Sequence, residues 1–443
     1  MRSLALILPL IGCRCGPGLD TAAPADTASP LDAGPANTLP IRSHELCHDG
    51  VDNDLDGWVD GSDHDCALAG VVNVRAADLV SEGRPHAVLD VDGDGTPDLL
   101  HHLGADHDWR YTAVSLEGEP IDLDLDLDLV VGFQPDLNGD GVEDLIARDT
   151  VSAPWPTSIF TGPLTTLDPG DPWLRFTSEH HALRSILRLP AAGDDGKALL
   201  ALADGAGDAS VYLFPTDIPL DSVLEEVSVA QLVLSGGYDS AFGERLEADD
   251  LDGGGVDELG ILDSLYPDWP YDTEGRLYLV PGSVRGVMEP ADASSFLLEG
   301  SNGDEVDDFL LPGDLTGDGY GDVAVLVSTH AVLLEGPLEG VLPCAEIRGV
   351  AHTVFQPGWI SALHAAGDVN GDGTPDLAFD RGELAPVVFF QATGGVLIEP
   401  SLELVEDTTP NRQDFAAGFD ADGDGLGELV FASGSAFFLF EGR

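Results

Sequence analysis

An acidic nonapeptide that recurs along the chain limits the fold more than any other feature. It reads Asp-x-(Asp/Asn)-x-Asp-Gly-x-x-(Asp/Glu) and runs straight into apolar residues, as in Asp90, Asp92, Asp94, Gly95 and Asp98 before Leu99 and Leu100. It returns as Asp136, Asn138, Asp140 and Asp144, as Asp314, Thr316, Asp318 and Asp322, as Asp368, Asn370, Asp372 and Asp376, and as Asp420, Asp422, Asp424 and Glu428. A weaker copy keeps Asp250, Asp252 and Glu258 but has Gly254 in the third acidic position. In a seventh, beginning at Ala191, only Asp195-Gly196 survives, and Ala191, Gly193 and Leu199 stand at the other ligand positions.

The starts at 90, 136, 191, 250, 314, 368 and 420 are spaced by roughly 50 residues, the length of one four-stranded blade. Seven copies predict an all-β chain, a seven-bladed β-propeller over residues 70–443. After each motif the sequence gives a strand, turn residues and another strand: 322–327 then 331–335, and 376–379 then 387–390. The degenerate copy keeps this pattern at 199–203 and 210–214, so strands do not require the acids. The last repeat supplies 428–432 and 436–441 and stops one strand short. The apolar stretch 70–74 is expected to pair with that open edge, since an unpaired strand edge invites aggregation.

Oxygen donors at positions 1, 3 and 5, a carbonyl at 7 and a carboxylate at 9, with glycine at 6 for the sharp turn, suit a hard cation, and calcium is the expected cofactor, several ions to the chain. Two carboxylates about 4 Å apart repel by about 4 kcal/mol at an effective dielectric of about 20, so the converging acids need a cation between them. An EF-hand requires glutamate at position 12. The residues there are His101, Ala147, Val325, Phe379 and Phe431, which the pattern puts inside strands.

These repeats resemble the FG-GAP or VCBS repeats of the integrin α-subunit head. The resemblance spans about residues 70–443 and is strongest at Ala241-Phe242-Gly243, Asp250-Leu-Asp252, Glu258-Leu259-Gly260 and 275–282, which keep the order of Phe-Gly, acidic loop, strand and Gly-bounded strand. The other copies lack the Phe-Gly pair. The resemblance implies a seven-bladed propeller with calcium in its loops.

Upstream lies a different acidic unit, residues 44–66, in which Cys47 and Cys66 bracket Asp52, Asp54, Asp56, Asp60 and Asp63. It resembles the MopE-type metal-binding segment of bacterial surface proteins and, more loosely, a thrombospondin type 3 calcium repeat. Calcium is the better fit to its oxygen donors, while His48 and His64 leave copper or zinc open. In an oxidising compartment Cys47 and Cys66 are the natural disulfide pair, and Cys344 is then expected to be a buried free thiol.

Arg2, the apolar run 4–11 and Gly12 before Cys13 read as a signal peptide over residues 1–12, too short to span a bilayer. Leu10-Ile11-Gly12-Cys13 resembles a bacterial lipobox, which implies lipidation of Cys13 and an extracytoplasmic place, at the cell surface or outer membrane, as a lipoprotein. Residues 13–40 are rich in Pro, Ala and Asp and suit a flexible tether.

Lys and Arg number 18 against 81 acids, a formal net charge of −63, which repels nucleic acid and anionic lipid. The lipid is then the expected membrane attachment, and the expected partner is an extracellular protein or glycan held by loops at one end of the blades, in adhesion or surface recognition. No Gly-x-Ser-x-Gly elbow, Walker loop or dinucleotide fingerprint occurs, and the chain is not expected to be an enzyme. His44-Glu45-Leu46-Cys47-His48 has the spacing of a zinc protease helix, but a preceding Pro-rich tether and an internal cysteine leave such a helix no room. Alternation of Asp122, Asp124, Asp126 and Asp128 with leucines predicts an acidic strand face. A propeller enzyme acting on extracellular polysaccharide and a structural or metal-sequestering coat protein remain open alternatives.

Overall fold

The computed structural model describes residues between Gly70 and Phe440, continuously over 241–264, 272–301, 304–328 and 330–381 and elsewhere mainly as the strands given below. Leu68–Arg443 form one compact unit. The signal peptide, the tether, the 44–66 segment and residues 122–129 lie outside the described residues, and with them Cys13, Cys47 and Cys66.

The fold is all-β and propeller-like. Among the described residues seven sheets follow one plan, and each acidic motif falls between the first and second strands of its sheet. The fifth sheet is representative: Val306–Gly313, Asp322–Val327, His330–Leu334 and Thr353–Phe355 form an antiparallel meander. The fourth runs Leu246–Asp249, Glu258–Asp263, Arg276–Pro281 and Phe296–Glu299, and the sixth Ala362–Gly367, Asp376–Arg381, Leu384–Phe389 and Leu402–Val405. The third, Leu183–Leu189, Leu199–Asp204, Asp208–Pro215 and Leu232–Tyr238, is built around the ruined motif, so the strands stand without the acids. Val130–Gln134, Asp144–Arg148, Thr157–Phe160 and Leu174–Thr177 make the second sheet, and Arg84–Leu89, Asp98–Leu103, Arg110–Ser115 and Pro120–Ile121 the first. Expected strand positions agree to within a few residues, and all five position-12 residues lie inside strands.

Second strands are buried along their whole length in the fourth, fifth and sixth sheets. Both their faces meet apolar neighbours, which is why they read as continuous apolar runs rather than alternating ones. The core lies between sheets. One cluster joins Leu199, Val211 and Leu234 of the third sheet to Leu259, Tyr278 and Val280 of the fourth, with Phe242 of the Phe-Gly pair fully buried among them. Another joins Leu262, Leu277 and Leu298 to Phe309, Val325 and Val332. Gly260 permits this approach: a Cβ there would stand 2.4 Å from the Phe309 ring.

A fifth, parallel strand closes the outer edge of five sheets, and it comes each time from the following sheet. Gly286–Met288, which precedes the last strand of the fourth sheet, pairs with the third. Gly340–Pro343 and Gly395–Leu397 do the same for the fourth and fifth sheets, and Ser222–Val223 for the second. The N-terminal strands continue this rule. Leu79–Glu82 pairs antiparallel with Ala436–Phe440 and completes the seventh sheet, whose other strands are Gln413–Phe419 and Glu428–Ser433. Gly70–Asn73, preceding it, pairs in parallel with Leu402–Val405 of the sixth.

This corrects the expectation for 70–74. The open edge of the last repeat is filled from the N-terminus, but by Leu79–Glu82, which sits next to Arg84 in the chain and so leads directly into the first sheet. Residues 70–73 form the clasp on the neighbouring sheet. Cys344, at the start of the short helix Cys344–Val350, is a free thiol at 2% exposure, and burial first, then Asp304 and Asp307, push it up to about 12.

Candidate metal centre

Three acidic loops, 250–258, 314–322 and 368–376, are described in full, and they share one hydrogen-bonded frame. The position-1 carboxylate accepts the amide of the position-6 glycine: Gly255 to Asp250 at 2.8 Å, Gly319 to Asp314 at 2.8 Å and Gly373 to Asp368 at 2.7 Å. The position-9 carboxylate accepts the amide at position 2: Leu251 to Glu258 at 3.0 Å, Leu315 to Asp322 at 2.8 Å and Val369 to Asp376 at 2.9 Å. The second loop keeps this bond, Leu137 to Asp144 at 2.7 Å, and there Asn138 also donates to Asp144 at 3.1 Å. Position 9 is the first residue of the second strand in every intact copy, Asp98 and Glu428 included.

Two features of this frame escape the motif as read from sequence. Position 2 is apolar and buried, with Leu137, Leu251, Leu315 and Val369 at 5% exposure or less, so each loop is plugged into the core. Position 4 is glycine as well as position 6, and both adopt left-handed backbone, with φ of 73° and 95° at Gly317 and Gly319 and 69° and 87° at Gly371 and Gly373. The signal was available, because Gly93, Gly139, Gly253, Gly317, Gly371 and Gly423 all stand at position 4.

The loops differ in how far the acids gather. Among the described residues, Asp250, Asp252 and Glu258 are the acids whose ligand oxygens lie within 4.8 Å of one another. By motif this copy was weaker than the five intact ones. Gly254 has no side chain at position 5, the Asp252 carboxylate folds over it to accept its amide at 2.7 Å, and glutamate reaches further inward than aspartate would. Asp250 Oδ1 is buried with no hydrogen-bond donor among the described residues. In the other two loops the acids accept further amides of their own loop: Asp314 accepts Gly317 and Asp318, Asp318 accepts Tyr320, and Asp372 accepts Thr374. Thr316 Oγ1 lies 3.5 Å from Asp322 Oδ1, and Asn370 Oδ1 accepts the Asp372 amide at 2.9 Å.

Burial, reinforced by Asp252, pushes the Glu258 carboxyl up to about 7. Burial likewise moves Asp322 up to about 6, against the amides of Thr316, Gly336 and Leu315, which favour its ionised form. A carboxyl group so placed holds a proton that a cation would displace, and the donors are all oxygen, the set suited to a hard divalent ion. Asp250, Asp252 and Glu258 therefore fit a metal.

Of the other candidate ligands, Asp52, Asp54, Asp56, Asp60, Asp63, Asp90, Asp92, Asp94, Asp136, Asp140, Asp420, Asp422 and Asp424 lie outside the described residues. His101 and His102 sit in the strand Asp98–Leu103.

The sequence matches no family model and no curated protein. Among solved structures, the chain is similar to BBS1N in complex with ARL6DN, in a crystal soaked with lead, at 11% identity and a TM-score of 0.47, over 83% of this chain and 94% of that one. A second crystal of that complex, soaked with mercury, gives 10% identity and a TM-score of 0.46 over the same shares. With identity and TM-score this low, neither likeness bears on what this chain binds.

Proposed function

We propose that the chain is a calcium-stabilised, seven-bladed β-propeller of the FG-GAP or VCBS type, tethered outside a bacterial cell through Cys13, that presents loops for recognition of an extracellular protein or glycan. The observation that carries the metal part is the convergence of Asp250, Asp252 and Glu258, whose ligand oxygens lie within 4.8 Å of one another, inside a frame that the 314–322 and 368–376 loops repeat. The seven-blade count is supported by seven sheets in the order of seven motifs and by the clasp rule, which the N-terminal strands continue across the chain ends.

In this reading the acidic loops are scaffold. Each lies between the first two strands of its sheet and steadies that hairpin, while the connections at the opposite strand ends are free to vary. One of those, between Thr353–Phe355 and Ala362–Gly367, exposes Trp359 at 56%. An exposed tryptophan offers a flat apolar face to a sugar ring or an aromatic side chain.

The test is calcium titration of chelator-treated protein by calorimetry, with a parallel thermal melt. Binding of about five to seven ions with dissociation constants of roughly 0.1 to 1 mM, and a rise in the melting temperature, is the expected outcome. No heat of binding and an unmoved melt would remove the metal and leave only acidic turns.

A further inference from the structure

We infer that the 250–258 and 314–322 loops take up their ions cooperatively, coupled through Tyr320 and Gly321. The inference rests on the calcium reading above and adds a regulation to it. Three segments, around Asp250, Gly321 and Gly336, approach closely here, with the Asp249 and Leu251 side chains against Gly321. A Cβ on Gly321, at position 8 of its loop, would stand 2.7 Å from Asp249 Oδ2 and 3.3 Å from the Asp250 carbonyl oxygen. One on Gly336 would stand 2.2 Å from the Gly321 carbonyl and 2.8 Å from that of Leu251. Gly336 also donates to Asp322, the last ligand of the 314–322 loop, at 3.4 Å. Asp249 Oδ2 and Asp250 Oδ1, on the side of the 250–258 loop, are buried and have no donor among the described residues.

Tyr320 supplies the second link. It stands at position 7, where the loop would offer its carbonyl to the ion. Its ring lies over the neighbouring loop, with two ring atoms 3.6 and 3.7 Å from where a Cβ on Gly253 would be. Gly253 sits between Asp252 and Gly254 in left-handed backbone, with φ of 70°. An ion that fixes the backbone of Tyr320 also fixes the ring on Gly253, and restricts the segment that carries Asp252. The second ion then meets a loop with less freedom left to lose, which is positive coupling.

Position 8 decides which loops can do this. Gly427, at the same position of the last motif, donates to the Asp368 carbonyl at 2.7 Å, and Gly321 lies against the corresponding Asp250 carbonyl. In the 368–376 loop position 8 is Pro375, which has no N–H to donate and brings a ring where Gly321 and Gly427 have hydrogen. The ions of the fourth and fifth loops are thus coupled, and the sixth does not join them from its own position 8.

The experiment is calcium titration of the full chain labelled with ¹⁵N-glycine. Gly255, Gly319 and Gly373, each bonded to its own position-1 aspartate, report one site apiece. Two variants are compared with the parent. Asp314→Asn disables the fifth site. Tyr320→Thr keeps it, because Thr96 and Thr374 hold position 7 elsewhere, and removes only the ring. The expected result is that the Gly255 midpoint rises by about fivefold or more in both variants while Gly373 does not move, and that Gly319 still titrates in Tyr320→Thr. A Gly255 midpoint within about twofold of the parent in Tyr320→Thr, with Gly255 and Gly319 both still responding to calcium, would overturn the coupling and leave the calcium reading intact. Glycine amides that ignore calcium in the parent chain would end both. Tyr320 is partly exposed, so this variant decides the matter even if Asp314→Asn does not fold.

Discussion

Glu258 and Asp322 each close a loop with a carboxyl group held out of water, and their titration gives the metal-free protein a definite pH dependence. In the unfolded chain such groups titrate near about 4.3 and 3.9. In the folded chain burial moves them to about 7 and about 6. Asp249 and Glu247 are raised as well, also chiefly by burial. Between these values the folded state binds protons that the unfolded state does not, so stability is present at the acidic end of the window and is lost as pH rises through the folded pKa. Chelated protein is therefore expected to melt higher at pH 5 than at pH 8. With saturating calcium the difference should shrink, because the ion takes the place of the protons. Scanning calorimetry at both pH values, with chelator and with calcium, measures this; a chelated protein that melts higher at pH 8 would contradict the placement of these carboxyl groups.

The repeated elements explain what could be read in advance. The acidic motif and the apolar run after it are local, so the second and third strands of the sheets, the two that follow each motif, and the acid at position 9 were legible. The fifth strand was not, because its pairing is decided by a neighbouring repeat. Its signal is nonetheless present as Gly-Val followed by a further apolar residue: Gly286-Val287-Met288, Gly340-Val341-Leu342, Gly395-Val396-Leu397 and Gly70-Val71-Val72. In the three described in full the valine is exposed, at 80%, 63% and 59%, and the third residue packs on a core cluster. The gathering of Asp250, Asp252 and Glu258 was undervalued for a similar reason, since a ligand count cannot register the reach of a glutamate or the room that Gly254 leaves. The clasp predicts an alternation of effects. Leu342→Ala should cost roughly 2 kcal/mol in urea unfolding, as a partly buried leucine does. Val341→Thr, one residue away, should stay within about 0.5 kcal/mol. Equal costs at the two positions would mean that the strand is not seated as a clasp.

At the scale of the whole molecule, a formal charge of −63 pushes the sheets apart, and calcium in every loop would neutralise only a minor part of it. Something must hold the first and last sheets together against that repulsion, and two short N-terminal strands occupy the position. Gly70–Asn73 ties the seventh repeat to the sixth sheet, and Leu79–Glu82 ties the first sheet to the seventh. Their removal should act in two steps. A chain beginning at residue 76 loses only the parallel clasp, a few backbone hydrogen bonds at about 1 kcal/mol each, and should unfold at a somewhat lower urea concentration while staying monomeric. A chain beginning at residue 84 also uncovers the edge of Ala436–Phe440, whose sequence Ala-Phe-Phe-Leu-Phe is apolar throughout. An apolar strand edge of that kind pairs with whatever strand it meets, so this chain should lose more stability and self-associate. Urea unfolding with light scattering on the two truncations separates the steps. A chain from residue 84 that remained monomeric and as stable as the parent would show that the last sheet does not depend on the N-terminus. The expected order, with stability falling first and association appearing only at the second cut, would place the closure of the fold in residues 79–82.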